Sequence, residues 1–109
     1  MAYSFNHSTD GFIATQSLTL LYGPTAAGKQ DIVFSGTFSN IDDTNQVQHN
    51  VTLKRYNGTV YTTVLNNIPV PYGGSSKCPK IVLLPGESLY VSSEVTGAIE
   101  CSLNILSLS

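Results

Sequence analysis

The feature that most constrains this chain is a repeated alternation of apolar and polar residues, interrupted by clusters of turn-forming residues. The clearest run is residues 47–54, VQHNVTLK, in which every second side chain from Val47 to Leu53 can face a core. Successive side chains of a strand point to opposite faces, so a period of two predicts β-structure. No stretch of ten or more residues has apolar residues at helical spacing. We therefore predict an antiparallel, all-β chain.

The same alternation predicts further strands on both sides of residues 47–54. Two half-buried strands precede it: Thr15–Tyr22, with Leu18, Leu20 and Tyr22 on one face, and Asp31–Ser39, with Ile32, Phe34 and Phe38 together. Three more follow it at Lys80–Leu84, Ser88–Ser93 and Ala98–Leu108, separated by Pro85-Gly86 and Thr96-Gly97. Short strands with turn residues between them favour a two-sheet sandwich.

Two groups of turn-forming residues, at 57–58 and 68–74, separate the strands in the middle of the chain. Asn57-Gly58 predicts a two-residue type I′ turn, with residues 59–65 as the return strand of a hairpin. Ile68–Gly74 is predicted to be a long connection, because its prolines cannot donate within a central strand. The total is seven or eight strands in a jelly-roll-like sandwich. We assign residues 11–109 to this single domain and residues 1–10 to an N-terminal arm.

Composition excludes several classes of function. Charged residues make up only 11% of the 109 residues, and the five basic ones are scattered, so the sequence predicts no nucleic-acid binding. No window approaches the roughly 18 apolar residues that cross a bilayer, and the N-terminus has no signal-peptide pattern, which predicts no membrane partner and no export. The neutral polar exterior suits a surface that packs against other subunits, although sheets also select Ser and Thr for themselves.

Two cysteines, Cys78 and Cys101, are too few for a disulfide framework and lack metal-ligand spacing. We predict that both are free thiols. Cys101 alternates in phase with Ile99 and Leu103, which indicates a small core residue.

Residues 23–29, GPTAAGK, match the first seven positions of a phosphate-binding P-loop. The eighth position is Gln30 where the motif needs a hydroxyl for Mg²⁺, and the following residues read as a strand where the motif needs a helix. We therefore predict a loop that connects two strands.

Residues for acid–base or metal chemistry are scarce. His7 lies in the predicted arm, and His49, in phase with Val51, is expected to be a hydrogen-bonded, half-buried residue. Asp42-Asp43 is expected to be a solvated turn, because a calcium site needs six or more oxygens. The sequence thus predicts no catalytic residue, no metal site and no cofactor, and the chain is expected not to be an enzyme.

Tyr3 and Phe5 are two aromatic residues in an otherwise polar N-terminal segment. They are candidate anchors on a partner subunit, with packing on the protein's own core as the alternative.

Four segments resemble small virion structural proteins of tailed bacteriophages, above all capsid decoration or cement proteins. They are residues 22–29 entering a strand, 51–56, 68–74 and LLPGESLYV at 83–91, of which the last, a Pro-Gly-acid-Ser-Leu turn between two late strands, is the most characteristic. The resemblance covers about nine tenths of the chain, from residue 11 onward, and rests on turn chemistry.

The resemblance implies a homo-oligomer, a trimer or dimer, that sits on the capsid surface of a virion made in the host cytoplasm. It would bind the major capsid protein and stabilise the head. A neck, tail or baseplate accessory protein is the first alternative. The second is a carbohydrate-binding module of a receptor-binding apparatus, which an exposed Tyr22, Tyr61 or Tyr72 in a groove with Asp or Asn would favour.

Overall fold

A computed structural model describes residues 4–108 of the chain, with side chains from residue 8 onward. The described part contains nine strands and no helix, and hence no helix that could span a membrane. The strands are β1 (Ser4–Ile13), β2 (Thr19–Tyr22), β3 (Gln30–Asn40), β4 (His49–Tyr56), β5 (Tyr61–Val70), β6 (Ser75–Lys77), β7 (Ile81–Leu83), β8 (Ser88–Ser93) and β9 (Ile99–Leu108).

The strands form two antiparallel sheets. Sheet A has the order β1-β9-β3-β6, with β7 also paired to β3, and sheet B has the order β2-β8-β4-β5. Neighbouring strands in the sheets are mostly distant in sequence, as in the pairs β1·β9 and β2·β8. The predicted antiparallel all-β sandwich is confirmed, with nine strands where the sequence predicted seven or eight.

The core lies between the inner faces of the two sheets. Strand β9 alternates as predicted, and Ile99, Cys101, Leu103 and Ile105 are fully buried. The larger side chains that are fully buried opposite and beside them are Phe38, Leu53, Leu83, Leu89, Val33, Val51, Val70 and Val91. Burying one such side chain contributes about 1.5–3 kcal/mol, so the inner faces supply most of the drive to fold.

Irregularities in the ladders change which residues face the core in β2 and β3. The β2·β8 register shifts between Leu20 and Tyr22, so Leu20 is 40% exposed and Leu21 is buried. The β3·β9 register shifts around Phe34, which is 47% exposed. The predicted faces were therefore wrong for Leu20, Ile32 and Phe34, because a bulge inserts one residue and reverses the alternation beyond it.

The predicted hairpin is present, but its turn is longer than predicted. Tyr56 pairs with Tyr61, so residues 57–60 form a four-residue loop, and only Gly58 has a positive φ, 97°. The Asn57 side-chain oxygen accepts from the backbone N–H groups of Thr59 and Val60, both at 2.9 Å. This side-chain bonding stabilises a longer loop in place of a type I′ turn.

The sequence predicted that residues 68–70 belong to a connection, and this was wrong. They form the far end of β5 and pair with β4. β5 is the edge strand of sheet B, where the missing N–H of Pro69 leaves no ladder bond unmade. The connection to β6 is confined to residues 71–74.

Strand β1 crosses the boundary that the sequence places between residues 10 and 11. Residues 4–9 pair with β9 along Thr9↔Leu103 to Ser4↔Leu108, and the register shifts between Thr9 and Phe12. Gly11 has φ 70° at this shift, a conformation that favours glycine. The N-terminal segment is thus an edge strand of sheet A from Ser4 onward.

Candidate interaction site

Three tyrosines form a cluster on the outer face of sheet B. Tyr56 and Tyr61 are directly opposite each other on β4 and β5, and their rings stack with centroids 4.4 Å apart and 27° between planes. Tyr90, on β8, lies edge-on to both, at 5.7 Å from Tyr56 and 5.4 Å from Tyr61. The residue opposite Tyr90 on β4 is Lys54, two positions from Tyr56 on the same face. The ladder registers of three strands therefore bring the rings together.

The cluster combines apolar area with hydroxyl groups. Tyr61 is 43% exposed, and burial together with the neighbouring rings of Tyr90 and Tyr56 raises its pKa, so the phenol stays protonated. The Tyr56 hydroxyl donates to the Gly58 carbonyl at 3.0 Å, which ties the hairpin loop to the cluster. Leu20, opposite Tyr90 on β2, extends the apolar area. A flat surface of tyrosines on rigid strands is typical of sites that bind protein partners.

Local patterns in the sequence do not predict this cluster. Its signal is the placement of Tyr56 and Tyr61 at equal distances from the middle of the 57–60 loop, which makes them cross-strand partners once the loop length is known. The contribution of Tyr90 depends on the pairing of β4 with β8, which no local pattern reveals.

His49 anchors the loop between β3 and β4. Its side chain is 5% exposed, and its Nε2 atom lies 2.7 Å from Oδ2 of Asp42. Asp42 also accepts from the backbone and side chain of Asn45, and these bonds together with His49 lower its pKa to about 2. The prediction of a hydrogen-bonded histidine is confirmed, but it is buried and not half-buried. Its partner, Asp42, was expected to be a solvated turn residue, and its side chain is only 11% exposed.

The second ring nitrogen of His49 faces another carboxylate. Nδ1 lies 3.5 Å from Oε1 of Glu94 and makes no hydrogen bond in the described part of the chain. No Ser, Thr or Cys side chain between residues 8 and 108 hydrogen-bonds to the ring. The arrangement therefore clamps the 41–48 loop to the turn after β8 and contains no activated nucleophile.

A shallow cleft of about 280 Å³ lies beside this clamp. It is lined by Asp42, Thr44, Asn45 and residues 95–98. Asp43 lies outside it and accepts from the hydroxyl of Tyr72 at 3.2 Å. Across residues 8–108, no group of three or more His, Cys, Asp or Glu side chains is placed to hold a metal ion.

The three tyrosines named for a carbohydrate site lie in three different places. Tyr22 points between the sheets, and its hydroxyl donates to Asp31 at 2.8 Å. Tyr61 belongs to the outer cluster of sheet B, and Tyr72 is 41% exposed beside Asp43. Tyr72 is thus exposed with an aspartate beside it, as the carbohydrate alternative asks, but it does not line the cleft beside the clamp, so that alternative stays a prediction.

The P-loop-like segment is a strand-connecting loop, as predicted. It joins β2 to β3 and pairs with the turn before β8, since Thr25 N–H donates to the Glu87 carbonyl at 3.0 Å. A Cβ atom on Gly23 would lie 2.9 Å from the Ser88 backbone, so glycine is required there by close approach. The loop packs on protein and does not open a helix.

Of the two predicted partner anchors, Tyr3 lies outside the described residues. Phe5 lies in β1, where its backbone pairs with Ser107, and its side chain is outside the described part. Their role as anchors stays a prediction.

The comparisons with known proteins concern the fold. No protein-family model matches the chain, and no curated protein matches it. A solved structure from work on Bacillus endospore appendages, described as "a novel family of disulfide-linked pili", is similar to it with a TM-score of 0.56. That likeness covers 98% of this chain and 86% of the other, at 18% sequence identity. It shows a shared β-sandwich fold.

Proposed function

We propose that this protein is a non-catalytic structural subunit that binds other protein subunits, and that its partner is the major capsid protein of a tailed bacteriophage head. The tyrosine cluster of Tyr56, Tyr61 and Tyr90 is the observation that carries the first part. Tyrosine is enriched in the energetically dominant residues of interfaces, because its rigid ring buries a large area at a low cost in entropy. The second part is supported by the resemblance of the turn segments to capsid decoration proteins.

The exterior of the sandwich supports the same proposal. Only 11% of the residues are charged, so the outer faces carry hydroxyl and amide groups that are easier to desolvate than ammonium or carboxylate groups. The buried histidine has no nucleophile hydrogen-bonded to it in the described part, and its pairing with Asp42 holds the 41–48 loop. Subunits of this kind stabilise an assembly by adding interface area.

Substitution of Tyr61 tests the binding surface. Heads purified from the virus that carries the gene, without this protein, are mixed with wild type or with Tyr61→Ser, and bound protein is measured after sedimentation. We expect the substitution to weaken binding by about tenfold or more, as for a hot-spot residue. Phe34→Ser is the matched control, since Phe34 is similarly exposed at 47% but lies on β3 in sheet A. Equal binding by wild type and Tyr61→Ser would exclude the cluster as the contact surface.

Copy number separates a head decoration protein from a neck, tail or baseplate accessory. Quantitative mass spectrometry of purified virions should give hundreds of copies for decoration and a small number for an accessory. Particles that lack the protein altogether would overturn the phage assignment.

A filament subunit is the second candidate, favoured by the fold shared with the pilus protein. In this chain the two cysteines are free and buried, and burial raises the pKa of Cys78 to about 11 and of Cys101 to about 12. A filament of this chain would therefore be held by non-covalent contacts. Electron microscopy of the concentrated protein, with and without reductant, should show filaments that are equally abundant in both if this candidate is correct.

The buried thiols lead to a direct prediction. Because the thiolate is the reactive form, native protein should react with a thiol reagent at pH 8 at least about 100-fold more slowly than protein unfolded in guanidinium chloride. The rate is followed by absorbance with an aromatic disulfide reagent. Rapid labelling of the native protein would show that a cysteine is accessible and would reopen a covalent assembly.

A further inference from the structure

The two ends of the sandwich differ in charge. One end, which we call the acidic end, comprises residues 12–19, 38–50, 69–76 and 92–101, where the loops before β2, β4, β6 and β9 meet. It contains four carboxylates and no Lys or Arg: Asp42, Asp43, Glu94 and Glu100. The other end, the basic end, comprises residues 20–32, 53–63, 82–90 and 103–108. It contains Lys29, Lys54 and Arg55 against Glu87 and the buried Asp31.

Arg55 lies in an unusual position at the basic end. It pairs with Thr62 on one side and with Leu89 on the other, and it therefore points inward from β4 beside the fully buried Leu89. Its Nη2 atom donates to the Val82 carbonyl of β7 at 3.1 Å and so connects sheet B to sheet A. The side chain is half-buried there.

The guanidinium of Arg55 is not neutralised within the described part of the chain. No carboxylate lies within 4 Å of it, and its buried Nε–H has no hydrogen-bond partner there. A guanidinium has five N–H donors, and a charge removed from water is costly unless it is paired. By contrast, Asp31 at the same end accepts from Tyr22 and Thr25. Among the described residues, Arg55 is thus a positioned cation with no carboxylate within 4 Å.

The acidic end presents carboxylates that are already oriented. The Glu94 side chain is 46% exposed, and its Oε1 atom accepts from the Asn50 backbone N–H at 2.9 Å. Asp43 is exposed and accepts from Tyr72 through Oδ1. In both residues these bonds fix the side chain and leave the second oxygen available, so little side-chain entropy is lost when it binds a cation.

We propose that copies of this chain associate head to tail, with the acidic end of one copy seated on the basic end of the next and with Asp43 and Glu94 meeting Arg55. The occupant is a second copy because one chain carries both complementary surfaces, at opposite ends of the same strands. This inference rests on the proposed function and names the contact between subunits. Such an interface is heterologous, so it produces a ring if the rotation closes and an open stack if it does not.

Sedimentation velocity of the full chain tests the association. The apparent mass of wild type should rise with concentration at about 20 mM salt and fall towards that of a monomer at about 500 mM, because exposed charges are screened at high ionic strength. A wild type that stays monomeric at low salt up to about 1 mM would overturn the proposal, since interactions weaker than this give no stable assembly.

Charge-reversal variants locate the contact. Arg55→Glu, and the double variant Asp43→Lys with Glu94→Lys, should each abolish association when alone. An equimolar mixture of the two should recover association, because the intact ends attract each other at one contact and the reversed charges attract each other at the other. Lys77→Glu makes the same change in charge as Arg55→Glu at an exposed site opposite Thr37 of sheet A, and should associate like wild type. Association of Arg55→Glu at the wild-type level would overturn the assignment.

Circular dichroism shows whether Arg55→Glu folds. If it does not, the double variant Asp43→Lys with Glu94→Lys tests the same contact from the acidic end. Both of its substitutions are at exposed positions, so it should fold, and its loss of association supports the acidic half of the contact by itself. Association of the folded double variant at the wild-type level would overturn the proposal. Failure of the inference and failure of the proposed function are also distinguishable. Monomers that still bind heads refute only head-to-tail association, whereas assemblies that bind no head refute only the capsid partner.

Discussion

At the scale of single residues, polar side chains hold parts of the sandwich that apolar packing alone leaves loose. Asp31, on β3 of sheet A, accepts from Tyr22 on β2 of sheet B and from Thr25 in the connecting loop. Burial and the Asp31 carboxylate raise the pKa of Tyr22 to about 12. The hydroxyl therefore remains a donor throughout the physiological range, and it joins the two sheets by a charge-assisted bond.

The Asp42–His49 clamp predicts that the protein loses stability in acid. Its pKa of about 2 lies below the ordinary 3.8, so its contacts stabilise the fold above about pH 4 and are lost as the pH falls towards 2. Asp42→Asn should lower the urea midpoint at pH 6, and its difference from wild type should shrink as the pH falls to 2. Urea unfolding followed by circular dichroism gives both values.

Asp43→Asn controls for the change in net charge, since Asp43 lies next to Asp42 and contacts Tyr72. If Asp43→Asn and Asp42→Asn showed the same pH dependence, the bonds from Asn45 and His49 would not be the source of the effect.

At the scale of the elements, bulges decide which side chains reach the core. In β3 the register shift around Phe34 places that ring on the outside, while Phe38, four residues later, is fully buried against sheet B. An unbroken alternation puts both on one face. The bulge gives the molecule an exposed aromatic residue and a core aromatic residue on the same strand.

These two phenylalanines make a matched pair of mutations. Phe38→Ala should destabilise the protein by about 3–5 kcal/mol, the cost of removing a buried aromatic ring and leaving a cavity. Phe34→Ala should change the stability by less than about 1 kcal/mol, because the ring is already half in water. Chemical denaturation gives both free energies of unfolding, and a larger cost at Phe34 would contradict the bulge.

At the scale of the whole molecule, pairing is dominated by strands that are far apart in sequence. The first strand pairs with the last, and β2 pairs with β8, so the chain must close long loops before most of its ladders can form. Closing such loops costs conformational entropy before the contacts that stabilise the ladders have formed.

The topology therefore predicts slow folding for a chain of this size. Stopped-flow refolding should show its main phase in the millisecond-to-second range, as for other sandwiches with non-local pairing. Refolding in microseconds would indicate that local structure, and not the β1·β9 and β2·β8 pairing, limits the rate.

The sequence by itself determined the fold class and most strand positions. Period-two alternation gave β8 with its observed bounds and placed His49, Val51 and Leu53 on the buried face of β4. These features depend on local chemistry, namely side-chain alternation and the turn residues between strands. The failed P-loop motif was also assigned correctly, because the residues that follow it favour a strand.

Only the tertiary structure decided which strands are neighbours and which faces carry a site. The tyrosine cluster depends on the registers of β4, β5 and β8, and the Asp42–His49 clamp depends on the path of the 41–48 loop. The position of Arg55 depends on the approach of β7, whose Val82 carbonyl it contacts. The bulge at Phe34 likewise depends on the pairing of β3 with β9. Each is a contact between segments whose partners are chosen by the packing of the whole sandwich, and no local pattern of residues encodes that choice.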